Sequence, residues 1–299
     1  MSHVALVVNP TAGKGRASRP LPHVAGLLRD AGHTVEVMLS RHVDEARTMA
    51  QAAVEDEVDV LAVMGGDGMM HLGLNTVASE HRAGRTGTSL GLVPAGTGND
   101  LCRGLGLDPR DPVAAAKVIA AGRTEPLDLV AVNDLFVGAV VATGFDALVN
   151  RRANTMPRPK GPLRYVLAAL AEVSVFAPLA YRLRIDGEVR LLDAMLVAIG
   201  NTAYYGGGMQ ICPTADPRDG LLDLTILHPV SRPALLQLLP RMHTGSFVRH
   251  PSVERLQARE IHLEALGLVG FGDGEHLADG PLEVRVVPGA VPVLLPAAQ

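Results

Sequence analysis

Three glycine-bearing segments fall within the first hundred residues, each directly after a short apolar run: Asn9-Pro10-Thr11-Ala12-Gly13-Lys14-Gly15, Gly65-Gly66-Asp67-Gly68 and Pro94-Ala95-Gly96-Thr97-Gly98-Asn99-Asp100. The runs Val4 to Val8, Val58 to Met64 and Leu90 to Val93 are aliphatic and β-branched without polar alternation. That is the pattern of strands buried on both faces of a parallel sheet. Open α/β sheets bind ligands at the carboxyl ends of such strands. Glycine there lets the backbone approach phosphate oxygens and take positive φ, while the following helix start supplies amide donors and a positive dipole end. The three segments together predict a nucleotide phosphate site.

From Val4 to about Thr124 strand and helix alternate, with helices expected near Pro20 to Ala31, Asp44 to Ala53, Met69 to Ala78, Asn99 to Gly104 and Pro112 to Ala121. Beyond Glu125 short strands dominate: Leu127 to Val132, Leu135 to Ala142, Tyr181 to Ile185, Ala194 to Ile199, Leu221 to Leu227, Ile261 to Leu266, Leu282 to Val287 and Val291 to Leu294. Helical inserts are expected at about 163–176 and 232–239. At 299 residues two domains are expected. Residues 1–124 form an α/β nucleotide-binding domain with a parallel sheet. Residues 125–299 are expected to form a mostly β sandwich whose extreme C-terminus is free to pack back on the first domain; Gly122 and Pro126 punctuate the boundary.

A formal net charge of -4 argues against a nucleic-acid partner. Cys102 and Cys212 stand far apart without metal-ligand spacing, so neither a disulfide framework nor a zinc site is expected. The first strand begins by Val4, which leaves no signal peptide to expect, and a cytoplasmic protein fits. The longest apolar segment, Tyr165 to Tyr181, is interrupted by Glu172 and Pro178 and is too short to span a bilayer.

Gly13-Lys14 falls short of a Walker A loop, because Val8 stands where glycine is needed and Gly15 follows the lysine. Gly96-Thr97-Gly98 falls short of the dinucleotide fingerprint, which needs glycine where Leu101 stands. A lone glycine turn is most often a plain strand-to-helix connection. Asp67 and Asp100 carry more information: a carboxylate beside phosphates is repelled unless a cation lies between, so the pair implies magnesium, although either alone could be a helix cap. Asp128, in an apolar strand start, needs a partner that hydrated magnesium would provide.

Near the C-terminus Gly272-Asp273-Gly274-Glu275 is a tight turn with two carboxylates. It is either a surface hairpin turn or the holder of a base for an attacking hydroxyl. The turn containing Asp216, Asp219, Gly220 and Leu221 suits a hard cation and a simple Asp-Gly turn about equally. Arg151, Arg152, Arg158, Lys160 and Arg164 precede an apolar stretch, as a contact with anionic membrane would require, though a solvated loop is the commoner outcome.

The ordered set Asn9-Pro10 with Gly13-Lys14, Gly65-Gly66-Asp67-Gly68, Gly96-Thr97-Gly98-Asn99-Asp100, Gly144-Phe145-Asp146-Ala147, Gly206-Gly207-Gly208, Asp219-Gly220-Leu221-Leu222-Asp223 and Asp273-Gly274-Glu275 resembles the diacylglycerol kinase catalytic-domain family. It is most similar to the soluble bacterial lipid kinases related to sphingosine kinases, actinobacterial members in particular. The resemblance covers almost the whole chain. It implies an α/β nucleotide domain and a β-sandwich with ATP and magnesium between them, and a lipid acceptor at a membrane surface.

Carried onto this chain, the resemblance puts Asn9, Pro10, Thr11, Ala12, Gly13, Ser40, Gly65, Gly66, Asp67, Gly68, Thr97, Gly98 and Asn99 at ATP. It puts Asp67, Asp100 and Asp128 at magnesium through its waters. Asp273 would accept the proton, with Glu275 supporting it or serving as the base. A second, structural magnesium would sit at Asp219 with backbone oxygens of Asp216 and Leu221. One departure is Met69, where the family usually has threonine; a lost phosphate hydrogen bond would cost about 1 kcal/mol.

The expected reaction is transfer of the γ-phosphate of ATP to a neutral lipid, diacylglycerol foremost, giving phosphatidic acid. The alternatives are a kinase for a soluble acceptor, since NAD kinases share the Gly-Gly-Asp-Gly loop, and a non-catalytic nucleotide- or membrane-binding homologue. A peripheral membrane location is expected, and a homodimer is left open.

Overall fold

The computed structural model describes residues 1–85, 87–156, 167–169, 171–173 and 176–297. The chain divides into two compact units, Met1–Leu129 with the segment beginning at Pro288, and Val130–Val287. This division lies five residues beyond the expected boundary at 124, because the strand that begins at Thr124 runs on without a break to Val132.

The first unit contains β1 (His3–Val8), α1 (Ala12–Gly15), α2 (Leu21–Asp30), β2 (Thr34–Leu39), α3 (Val43–Glu55), β3 (Val60–Gly65), α4 (Asp67–Arg82), β4 (Ser89–Pro94), α5 (Asp100–Gly104), α6 (Pro112–Ala121) and the start of β5 (Thr124–Val132). Strands β2, β1, β3 and β4 lie side by side in parallel. Every residue of β3, and of β1 after His3, is buried, which is why these runs carry no polar alternation. One face packs Leu6, Ala62 and Met64 against Val24, Leu28, Ala116 and Ile119 of α2 and α6. Each fully buried valine or leucine contributes about 1.5–3 kcal/mol relative to exposure.

Local sequence sets the helix ends. Asp111 caps α6 by accepting the amides of Val113 and Ala114, both at 2.9 Å. Pro112 occupies the first turn, and Gly122 at φ +69° closes the helix. These are the residues the two helix ends prefer, and α6 forms over the expected range. In α3, His42 Nδ1 accepts the amide of Glu45 while Glu45 reaches back to the amide of Arg41, a variant of the capping box.

The second unit contains β6 (Leu135–Val137), β7 (Val140–Gly144), α7 (Phe145–Thr155), β8 (Leu179–Ile185), β9 (Glu188–Ala194), β10 (Leu196–Gly200), β11 (Tyr204–Tyr205), β12 (Met209–Gln210), β13 (Leu222–Leu227), α8 (Arg232–Met242), β14 (Val253–Ala258), β15 (Glu260–Ala265), β16 (Val269–Gly272), β17 (Glu275–Asp279) and the start of β18 (Leu282–Leu294). Leu282 to Arg285 of β18 pair with β15, which continues to β8 and β9. A second antiparallel sheet has the order β14-β13-β10-β7-β16-β17. Tyr181, Leu183, Ile261 and Val284 of the first sheet meet Val197, Ile199, Leu224 and Ile226 of the second in one core, a β-sandwich.

Three departures from the sequence expectations have physical causes. The run Leu135 to Ala142 is two strands, because the amides of Gly138 and Ala139 donate to a carboxylate, Asp273. The two expected C-terminal strands are one, β18, with Val293 paired in parallel to Leu90 of β4. Helix α7 was not expected: it leaves β7 through Gly144 at φ +73°, where an added Cβ would stand 2.6 Å from the Met195 carbonyl. The insert expected at 163–176 lies largely outside the described residues; 167–169 and 171–173 are helical.

Candidate active site

Strand register in the first unit puts the expected nucleotide residues along one sheet edge. Val8 stands opposite Leu39 and Met64, and Gly65 opposite Pro94. Asn9, Ser40, Gly66 and Ala95 therefore all follow the carboxyl ends of four adjacent parallel strands, where α/β sheets bind ligands.

Asp67 opens the sixteen-residue helix α4 behind Gly66, which provides no side-chain cap. Its carboxylate ties two loops together: Oδ2 accepts the amide of Asn99 at 3.0 Å and Oδ1 that of Asp100 at 2.7 Å. Asn99, left-handed at φ +56°, uses its side chain to accept the Gly96 amide and to donate to the Pro109 carbonyl. Asparagine tolerates this conformation better than most residues.

The glycines serve close loop packing more than backbone conformation. Gly66, Gly96 and Gly98 are not in the positive-φ region, but a Cβ on Gly96 would overlap the Cα of Gly66, and one on Gly98 would overlap Asp67 Oδ2. Asp100 Oδ2 lies 3.6 Å from that same Cβ position. Two carboxylates thus flank a cradle that any side chain at Gly98 would fill, and its hard oxygen donors suit a hydrated divalent cation. Their field is felt at Cys102, whose thiol is held far above its ordinary range, first by burial and then by the charges of Asp67 and Asp100. The Cys212 thiol, also buried, is pushed up to about 12.

Among the described residues no group of three His, Cys, Asp or Glu side chains is placed to hold a metal ion directly. Asp128 is 4% exposed, and one of its partners is the amide of Gly289 at 2.8 Å, so part of its need for a partner is met by the backbone. Asp219 accepts the amide of Leu221 at 2.9 Å and Asp216 O accepts the amide of Asp219, so the turn-forming role is realised there.

Asn9 Oδ1 accepts the amide and hydroxyl of Thr11, Gly13 has φ +59°, and Pro10 O accepts the Ser18 hydroxyl. The buried Ser40 hydroxyl donates to Val8 O at 3.0 Å. Met69 is 5% exposed and lies against Gly65, where an added Cβ would overlap it. The Lys14 side chain, Arg158, Lys160 and Arg164 lie outside the described parts. Arg151 is exposed, whereas Arg152 is paired with the buried Glu172.

In the second unit Asp273 sits at φ +52° between β16 and β17. Its Oδ2 accepts the amide of Gly138 and its Oδ1 that of Ala139, both at 2.9 Å. Glu275, two residues on, is exposed at the start of β17. Sequence reasoning missed the Gly138-Ala139 pair; its only signal was a glycine inside an apolar run.

A family model described as diacylglycerol kinase catalytic domain matches residues 3–132, and one described as YegS C-terminal NAD kinase beta sandwich-like domain matches 139–295. A Mycobacterium tuberculosis protein named diacylglycerol kinase is 39% identical over 98% of this chain and 95% of its own length. The chain belongs to the diacylglycerol kinase family. More distant relatives include the protein of Stenotrophomonas maltophilia named "Probable lipid kinase YegS-like", 28% identical over 95% of this chain and 94% of its own. A solved structure titled as a diacylglycerol kinase from Bacillus anthracis shares the fold of this diacylglycerol kinase family chain, with a TM-score of 0.79 at 24% identity over 99% of this chain and 98% of that one. No helix among the described residues is long and apolar enough to cross a membrane.

Proposed function

We propose that the protein transfers the γ-phosphate of ATP to the hydroxyl of diacylglycerol, giving phosphatidic acid, while visiting a membrane surface peripherally. The observation that carries this reading is the pair of carboxylates, Asp67 and Asp100, flanking the cradle at Gly98 beside the start of α4. Support for the lipid acceptor comes from the names of the relatives.

In this reading Asn9 to Gly13, Gly66, Gly68, Thr97 and Gly98 surround the nucleotide, and amides at the start of α4 face its phosphates. Magnesium, held through its waters by Asp67, Asp100 and Asp128, would offset the phosphate charge. A second ion at Asp219 with the carbonyls of Asp216 and Leu221 would brace the turn. The acceptor oxygen bonds to the γ-phosphorus as the bond from that phosphorus to the β,γ-bridging oxygen breaks, ADP leaves, and the hydroxyl proton passes to a carboxylate. Both oxygens of Asp273 are anchored by backbone amides whereas Glu275 is exposed, so we assign proton acceptance to Glu275 and the holding of the turn to Asp273. Arg151, with Arg158, Lys160 and Arg164, would meet anionic lipid.

The test is transfer of labelled γ-phosphate to a panel of diacylglycerol, ceramide, sphingosine and NAD, with Glu275→Gln as control. Labelled phosphatidic acid that the control fails to make is the expected result. A labelled NAD product would make this a kinase for a soluble acceptor, and labelled ceramide or sphingosine would overturn the choice of diacylglycerol.

A further inference from the structure

The geometry points to Asn201 as a positioning residue for the acidic turn, acting through the Gly138-Ala139 segment on Asp273 and so on Glu275; this rests on the kinase reading above. Asn201 follows β10 and is fully buried. Its Nδ2 donates to the Gly138 carbonyl at 2.9 Å, and a carbonyl can only accept, which fixes the amide's orientation. The backbone amides of Asn201 and Thr202 donate to the Ala139 carbonyl at 2.8 and 3.1 Å. The carbonyls of both residues are thereby held by Asn201 and Thr202, while their amides donate to the two oxygens of Asp273.

The segment cannot drift toward the turn or away from it without breaking a hydrogen bond. A Cβ on Gly272 would stand 2.5 Å from Val137 Cγ2, so the turn is also packed directly against the end of β6. Four buried or half-buried groups in series, Asn201, Gly138, Ala139 and Asp273, therefore fix where Glu275 projects. None of the four besides Asp273 belongs to the expected reacting set, and Asn201 is the one whose side chain can be changed without touching the turn.

The test joins turnover with hydrogen exchange. Asn201→Ala is expected to lose about 100-fold in kcat, the scale of a reacting group displaced by an ångström, with the KM for ATP unchanged. The amides of Gly138 and Ala139 should exchange faster in that variant. On an Asp273→Asn background the same replacement should cost nothing further, since coupled residues are non-additive. Additive losses, or unaltered exchange at Gly138 and Ala139, would overturn the inference. If Asn201→Ala does not fold, Asn201→Asp, equal in size with the donor replaced by an acceptor, carries the same measurements. If neither folds, exchange in folded Asp273→Asn decides, because undisturbed amides there would mean the segment and the turn are independent. Wild-type protein that phosphorylates no lipid would sink the kinase reading alone, since exchange is read without turnover.

Discussion

Gly66 and Gly96 touch through their backbones, so closely that a Cβ on Gly96 would overlap the Cα of Gly66 and come within 2.8 Å of Asn99 Oδ1. Two loops at the ends of neighbouring strands therefore share one space, and the Asp67 carboxylate is left facing the next loop.

Gly96→Ala should lower stability by about 1–3 kcal/mol, the usual cost of overpacking, read as a fall in Tm. Phosphate transfer should fall more than stability alone requires, because the Asp67 hydrogen bonds to Asn99 and Asp100 must stretch. An unchanged Tm would mean the loops separate freely.

Met69→Thr tests the departure from the family pattern. The side chain is buried against Gly65, so the replacement should cost about 2 kcal/mol or more in a melt. The KM for ATP should hardly change. A marked fall in KM would show that a hydroxyl at this position reaches a phosphate.

Glu275→Gln and Asp273→Asn should fail differently. The first should abolish transfer while leaving Tm and ATP affinity near wild type. The second puts an NH2 against the amide of Gly138 or Ala139, so it should lower Tm as well as kcat. Full activity in Glu275→Gln would return proton acceptance to Asp273.

Glu254 gives the sandwich a defined acid sensitivity. Burial pushes its carboxyl up, but hydrogen bonds from His228 and Arg190 at 2.9 and 2.8 Å outweigh that and hold it below its ordinary value of 4.5. A carboxyl depressed on folding stabilises the protein above its unfolded value and loses that contribution as pH falls through the folded one. Wild type and Glu254→Gln should thus differ in stability at neutral pH and converge below pH 4.5 in denaturant titrations. A gap independent of pH would exclude this ionisation as its source.

The α/β half was legible because its signals are local. Buried strands announce themselves as unbroken aliphatic runs, and α6 carries its stop and start signals in Asp111, Pro112 and Gly122. In the sandwich, β9 mixes Glu188, Arg190 and Asp193 with Val189, Leu191 and Leu192 and escapes a reading from sequence, since a half-exposed strand at a sheet edge looks like loop. At the site, the carboxylates and their loops could be named from sequence, but the service of Gly96 and Gly98 could not. Loop-to-loop contact is a fact of three dimensions, and positive φ was the wrong reason for those two positions. Asn201 was hidden for the same cause: the partner of its side chain, Gly138, lies 63 residues away in the chain.

Strand β18 has a consequence for synthesis. Val293 completes the row beside Leu90, and Leu294 lies in the same core as Leu6 and Val24. A nascent chain can make the first 129 residues and still lack part of that core until Val293 and Leu294 have cleared the ribosome. Completion of the first unit's core is therefore delayed until every residue of the second unit has been translated.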